Sequence, residues 1–182
     1  MTSLERRAIR AENSLEGRTL SGYAAVYGQD SREIADYGRT FVERIAPGAF
    51  GETLSAGADV KLYYNHDPSM PLARTRSGTL KLRSDRQGLA FEAVLPETTL
   101  GNDVRALLER GDLSGEMSFG FIVEEDSWNK DRTSRLVKRA KLIEVSVVQD
   151  AAYPQTSSSL RCVSARDRMH RALYLRGLKG NL

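Results

Sequence analysis

A serine and a glycine share one face of a predicted strand in the stretch GEMSFGFIV, residues 115–123. Side chains alternate between the two faces of a strand, so Ser118 and Gly120 lie together. The opposite face carries large apolar side chains, those of Met117, Phe119, Phe121 and Val123. A hydroxyl beside a glycine suits a nucleophile with space next to it for a substrate backbone. Ser118 is therefore a candidate nucleophile.

A serine hydroxyl needs a base before it can attack, and histidine is the usual base near neutral pH. The chain has two histidines, His66 and His170. His66 ends a predicted strand at the start of a proline-containing loop, a position that often carries catalytic groups. A polar cap at the strand terminus is the alternative interpretation. His170 lies in a basic segment near the C-terminus, and the simpler interpretation is that it is an exposed surface residue.

Glu144 is the third candidate, because it lies in the middle of the apolar run KLIEVSVVQD. A carboxylate among apolar neighbours needs a charged or hydrogen-bonding partner. A lysine or arginine would make a structural ion pair, whereas His66 would complete a serine–histidine–acid arrangement. Asp67 also has a suitable side chain, but it follows His66 directly and adjacent strand residues point to opposite faces. We therefore prefer Glu144, with Asp67 and His170 as alternatives.

The composition is that of one soluble globular domain with its own core. The 182 residues are 40% hydrophobic and 28% charged, with a net charge of +3. A single cysteine excludes an internal disulfide and a cysteine-rich zinc site, and no apolar run is long enough to span a membrane. The N-terminus has no apolar segment of the kind found in secretory signals. No cofactor or metal site is predicted.

Seven β-like runs and only two or three helical segments predict a mainly β fold with flanking helices. We expect a closed or partly open seven-stranded β-barrel, divided into an N-terminal extension (1–18), a barrel domain (19–156) and a basic, detachable C-terminal segment (157–182). The predicted strands cover 19–28, 40–46, 60–66, 78–84, 88–95, 115–125 and 135–149. The predicted helices cover 48–57, 101–113 and 160–178, with Gly111 as the C-cap of the second.

Six stretches, in the same order along residues 20–156, resemble the prohead (capsid-maturation) protease family of tailed bacteriophages. They are GYAAVYG, ERIAPGAF, LYYNHD with PLART, DRQGLAFEAVLP, RGDLSGEMSFGF and LIEVSVVQDAAYP. The resemblance implies a serine endopeptidase with a herpesvirus-protease-like β-barrel. The family's motif histidine falls on His66 and its motif serine on Ser118. Herpesvirus enzymes have a second histidine on a later strand, where this chain has Glu144.

The resemblance also implies substrates and a place of action. These are the major capsid protein with its scaffold segment, and the protease itself, inside proheads assembling in the host cytoplasm. Related viral proteases suggest a dimer, while membranes and nucleic acid are not expected as partners. We expect Ser118 to face an open cleft, with Gly120 leaving room for the scissile peptide bond. A non-catalytic β-barrel scaffold that binds capsid subunits is the alternative function.

Overall fold

The computed structural model describes residues 3–9, 13–36 and 38–149, which contain eleven strands and two helices. In chain order the elements are β1 (Leu4–Ile9), β2 (Ser14–Glu16), β3 (Thr19–Val26), β4 (Ile34–Asp36), β5 (Arg39–Ile45), α1 (Gly51–Ser55), β6 (Lys61–Tyr64), β7 (Pro71–Arg74), β8 (Leu80–Ser84), β9 (Gly88–Val94), α2 (Thr99–Arg110), β10 (Met117–Trp128) and β11 (Ser134–Val147).

β11 is the central strand of the larger, seven-stranded sheet. It pairs antiparallel with β10 along most of its length, and β1 adds antiparallel to the other side of β10. The first residues of β11 pair in parallel with β5, and its last four, Glu144 to Val147, pair in parallel with β6. β4 continues the sheet beyond β5, and β7 continues it beyond β6. The larger sheet therefore contains strands from both ends of the described chain, which lie on either side of β10 and β11.

The smaller sheet has the order β2-β3-β9-β8 and is antiparallel throughout. Buried side chains from both sheets form one hydrophobic core. Phe50, directly before α1, is fully buried and makes edge-on ring contacts with Phe119 and Phe121 of β10. Its ring also lies 6.5 Å from that of Tyr27, which follows β3. The apolar face of β10 therefore packs in the core, and this packing fixes the orientation of the opposite face of the strand.

All seven predicted strands are present, as are the two helices that fall within the described residues. β8 and β9 form an antiparallel hairpin, and Gly111 caps α2, as predicted, in the left-handed conformation with a φ of 76°. Four short strands were not predicted: β1, β2, β4 and β7.

The prediction of a mainly β fold with few helices is confirmed. Of the two barrel forms predicted, closed or partly open, the closed seven-stranded barrel is not found in the described residues, which form two sheets. Side-chain alternation identifies strands but does not say which strands pair, so the number of strands did not reveal the division into two sheets. The predicted N-terminal extension supplies β1 to one sheet and β2 to the other. The predicted C-terminal segment lies outside the described residues. None of the helices within the described ranges is long and apolar enough to cross a membrane.

Candidate active site

His66 is presented by a tight turn between β6 and β7. Asn65 and His66 both have positive φ angles, 50° and 59°, in the left-handed region that non-glycine residues seldom occupy. The turn is fixed to the sheet because the Asn65 amide donates to the Val147 carbonyl (2.9 Å) and the Asn65 side chain accepts from the Gln149 amide (2.9 Å). Such backbone strain persists only where the surroundings hold it, and it is concentrated at functional sites.

The imidazole of His66 contacts the carboxylate of Glu144, as the sequence predicted. The His66 Nδ1 to Glu144 Oε1 distance is 2.6 Å, and the two side chains are only 13% and 5% exposed. Ser146, two residues along the same face of β11, donates its hydroxyl to the other carboxylate oxygen at 2.7 Å. Sequence analysis did not assign a role to Ser146, although alternation along EVSVV places it on the same face as Glu144.

Glu144 is held in its ionised form by its neighbours. Burial would raise the pKa of this carboxyl, but the hydrogen bond and charge of His66, the Ser146 hydroxyl and the Arg6 guanidinium outweigh burial and lower the pKa. An ionised carboxylate only accepts hydrogen bonds, so Nδ1 of His66 must carry the proton that it shares with Glu144. In the neutral ring Nε2 is then unprotonated and available as a base.

Gly120 makes room for Glu144, which corrects the prediction that it leaves room for the scissile peptide bond. Gly120 of β10 is the direct cross-strand partner of Glu144 on β11. A Cβ at Gly120 would lie 2.6 Å from Glu144 Oε1, the oxygen that binds His66. The missing side chain of Gly120 therefore leaves the space that the Glu144 carboxylate occupies while it contacts His66.

Replacing Gly120 by Ala is expected to lower kcat by about 100-fold while leaving the protein folded. The added methyl group must displace the Glu144 carboxylate, and small displacements of a positioning group cost about this much. Gly51→Ala is the matched control, because a Cβ at Gly51 meets nothing within 4 Å. Steady-state cleavage rates and thermal unfolding of both variants test this. Equal kcat values for the two variants would contradict the positioning role of Gly120.

Ser118 lies on the same face as this pair but is covered, which corrects the prediction of an open cleft. Its exposed fraction is 0%, and it pairs across the sheet with Ser146 on one side and Ala8 of β1 on the other. Its hydroxyl donates to the backbone carbonyl of Arg7 at 2.9 Å. No hydrogen bond joins Ser118 to His66 within the described residues. β1, which was not predicted as a strand, is the physical reason for this burial.

A cleft of about 320 Å³ opens beside the histidine–glutamate pair. Two of its wall residues, Leu4 and Arg6, belong to β1, and Arg6 places its Nε 3.3 Å from Glu144 Oε1. The rest of the lining comes from Lys61, Tyr63, Ile143, Asp59, Pro68, His66 and Glu144. The cleft thus has both polar and apolar walls beside His66, and β1 contributes one part of them.

The other candidate residues are engaged elsewhere or lie outside the described part of the chain. Asp67 Oδ1 accepts hydrogen bonds from the amide and the hydroxyl of Ser69, at 2.8 and 2.7 Å, within its own turn. His170 lies outside the described residues. No cluster of potential metal ligands occurs in the described ranges. The structure therefore brings His66 and Glu144 together, with Ser118 nearby on β10.

The lowered pKa of Glu144 predicts how Glu144→Gln changes stability with pH. A carboxyl whose pKa is lower in the folded than in the unfolded state stabilises the fold above its unfolded pKa, about 4.3 for glutamate. That contribution is lost as the pH falls through the lower, folded value. We therefore expect wild type to be more stable than Glu144→Gln at pH 7, and the difference to shrink below about pH 4.3. Urea unfolding at a series of pH values measures the difference in unfolding free energy between the two proteins. A difference that does not change with pH would contradict the lowered pKa of Glu144.

Comparisons with known proteins concern the fold and the family of the chain. No curated protein matches the chain in sequence. The solved structure of the bacteriophage T4 capsid assembly protease, gp21, has a similar fold, with a TM-score of 0.54 and 11% sequence identity. The match covers 82% of this chain and 98% of the T4 chain. Residues 3–171 match the family described as the caudovirus prohead serine protease. The chain therefore belongs to the caudovirus prohead serine protease family.

Proposed function

We propose that the chain is a serine endopeptidase in which Ser118 is the nucleophile, His66 the general base and Glu144 the group that orients and stabilises the histidine. The observation that carries this proposal is the 2.6 Å contact between His66 Nδ1 and the buried, ionised Glu144 carboxylate. A histidine held in this way has its other nitrogen free to take a proton from a serine. Membership of a serine protease family supports the same chemistry.

In this mechanism the Ser118 hydroxyl turns from the Arg7 carbonyl to His66 Nε2 when a substrate binds. Nε2 takes the proton as Oγ attacks the carbonyl carbon of the scissile bond, and Glu144 stabilises the resulting imidazolium. The tetrahedral intermediate collapses as His66 gives its proton to the leaving amine, which leaves an acyl-enzyme. Water, activated by His66, then releases the second product and regenerates the Ser118 hydroxyl. Because Ser146 holds the second oxygen of Glu144, the carboxylate is fixed throughout these proton transfers.

The proposed substrates are the major capsid protein with its scaffold segment, and the protease itself. The family and the name of the T4 neighbour support a role in capsid maturation. On this proposal the chain acts inside proheads assembling in the host cytoplasm.

The burial of Ser118 favours one alternative, a non-catalytic assembly protein that binds capsid subunits. Such a protein needs neither an activated serine nor an unprotonated imidazole nitrogen. It would bind the capsid precursor and leave it intact, whereas a protease would shorten it. The two functions therefore give different products from the same mixture.

The test is to incubate the full chain with its capsid precursor, with and without a fluorophosphonate, and to map products and labelled residues by mass spectrometry. We expect defined cleavage of the precursor, and its loss in proportion to phosphonate attached to Ser118. Cleavage that continues when Ser118 is fully labelled would contradict Ser118 as the nucleophile. Stable binding of the precursor with neither cleavage nor labelling would support the assembly protein instead.

A further inference from the structure

We infer that the cleft beside His66 binds an acidic side chain of the substrate, and that Lys61 of β6 is the residue that selects it. This inference deepens the proposed function and rests on it, because it takes the cleft to be part of a protease site. It gives the substrate class as peptides that carry a glutamate or an aspartate near the scissile bond.

The packing of β6 directs Lys61 into the cleft. Its neighbour Leu62 is fully buried in the core, and side chains alternate along a strand, so Lys61 and Tyr63 lie on the opposite face. Both of these residues line the cleft. Lys61 is also the parallel cross-strand partner of Glu144 on β11. A lysine therefore lies beside the histidine–glutamate pair, on a strand that the core holds in place.

The carboxylates that line the cleft already have partners, whereas the lysine has none. The guanidinium of Arg74 donates to Asp59 Oδ1 at 2.7 Å. Glu144 is bound by the three neighbours described above. Lys61 makes no hydrogen bond or ion pair with any of the described residues. A carboxylate on a ligand would supply the partner that the ammonium lacks, and charge-assisted hydrogen bonds of this kind are stronger than neutral ones.

Arg6 is the second cation that lines the cleft, but its side chain is already engaged. Its Nε lies 3.3 Å from Glu144 Oε1, the oxygen that also contacts His66. Lys61 is therefore the cation of the described cleft lining that has its charge available for a ligand.

The cleft also has an apolar wall, part of which comes from a β-bulge. Ile143 has no partner on β10, because the bulge lies between Leu142 and Glu144. Ile143 and Tyr63 are only partly buried, and both line the cleft. Apolar walls exclude water from a charge pair, which strengthens it, and they can contact the methylene groups of a glutamate side chain. The volume of about 320 Å³ is large enough for such a side chain.

The position of β6 in the sheet limits where the acidic residue can lie in the substrate. β10 and β6 both pair with β11, on its two sides, so they are separated by two strand spacings, roughly 10 Å. An extended peptide advances about 3.3 Å per residue. We therefore expect the acidic residue within about three residues of the bond that Ser118 attacks.

The first test compares matched peptides as substrates of the full chain. Each pair copies a cleavage site mapped in the capsid precursor and differs only in having glutamate or glutamine at one position near the scissile bond. We expect kcat/KM to be about tenfold higher for the glutamate peptide, which corresponds to one charge-assisted hydrogen bond.

Two variants assign this preference to the lysine. In Lys61→Met, which removes the ammonium and keeps an unbranched side chain, the ratio of the two kcat/KM values should fall to about one. Lys61→Glu should instead favour a lysine at the same peptide position. The matched control is Lys130→Met, in the turn between β10 and β11, whose ratio should stay at the wild-type value. A wild-type ratio of about one, or a ratio that Lys61→Met leaves unchanged, would overturn the inference.

A binding measurement separates this inference from the proposed function. The probes are N-acetylglutamate amide and N-acetylglutamine amide, titrated into the full chain while NMR follows the isotope-labelled methyl groups of Ile143. We expect the glutamate probe to bind about tenfold more tightly than the glutamine probe, and Lys61→Met to abolish the difference.

The two measurements together distinguish the possible failures. Tighter binding of the glutamate probe, without cleavage of any peptide, would support the acidic subsite and overturn the proposed protease. Cleavage of both peptides at equal rates, with no difference between the probes, would support the protease and overturn the subsite. Neither cleavage nor a difference between the probes would overturn both.

Discussion

Ser118→Ala is expected to lower kcat/KM for cleavage of the capsid precursor by roughly 10⁴-fold or more. On the proposed mechanism the substitution removes the oxygen that forms the acyl-enzyme. It also removes the hydrogen bond to the Arg7 carbonyl, which should cost about 1 kcal/mol of unfolding free energy. Cleavage assays and urea unfolding separate the loss of rate from any loss of fold.

Ser146→Ala is the matched control for this experiment. Ser146 is also fully buried and lies directly opposite Ser118 on β11, but its hydroxyl orients Glu144. We expect about a tenfold loss of kcat from this variant, since only a positioning hydrogen bond is lost. If Ser146→Ala were inactive and Ser118→Ala active, the nucleophile would be on β11 and the proposed mechanism would be wrong.

His66→Ala is expected to lower kcat by about 10⁴-fold, because the group that we propose as the base for the Ser118 proton is lost. Added imidazole should partly restore activity to this variant by entering the space the ring leaves beside Glu144. It should not restore activity to Ser118→Ala. Rates measured against imidazole concentration for both variants provide the comparison.

Glu144→Gln should lose less activity than His66→Ala, because glutamine still hydrogen-bonds the ring but lacks the charge that stabilises the imidazolium. A His66→Ala variant no slower than Glu144→Gln, with no response to imidazole, would show that His66 only caps the strand.

The strands that side-chain alternation predicted are those that bury apolar side chains. β9, the first half of β10 and the last residues of β11 carry apolar side chains at every second position, so their period is visible in the sequence. β1 reads LERRAI, with three consecutive charged residues, and its charged side chains are stabilised by partners on β5 and β11. Because those partners are distant in sequence, the pattern within β1 gave no sign of a strand. Because β1 was not predicted, the burial of Ser118 could not be predicted either.

That Glu144 has a partner was predictable for a physical reason, because a carboxylate within an apolar strand is costly unless it is paired. The choice of His66 over a lysine or arginine came from the chemistry that a serine nucleophile requires. A further partner of Glu144, Arg6, lies on the strand that was not predicted. The role of Gly120 was not predictable, because the residue that needs its missing Cβ is its partner on β11. The local sequence shows which positions carry an unexpected residue type. The pairing of the strands determines which neighbouring side chain requires that residue type.

The pairing of β1 with β10 also has a consequence for how the chain folds as it is made. The bond between Ser118 and Arg7 joins residues 111 positions apart, and that between Arg6 and Glu144 joins residues 138 apart. β1 leaves the ribosome before the other described strands, but it has no strand to pair with until β10 has been synthesised. Arg6 has no partner for its ion pair until β11 has been synthesised. Such high contact order places folding in the slow range of small β proteins, about milliseconds to seconds. Translation runs at roughly 5–20 residues per second, so more than five seconds separate the synthesis of β1 and β10. The strand that covers Ser118 is therefore among the last of the described elements to reach its native place, although it is made before the others.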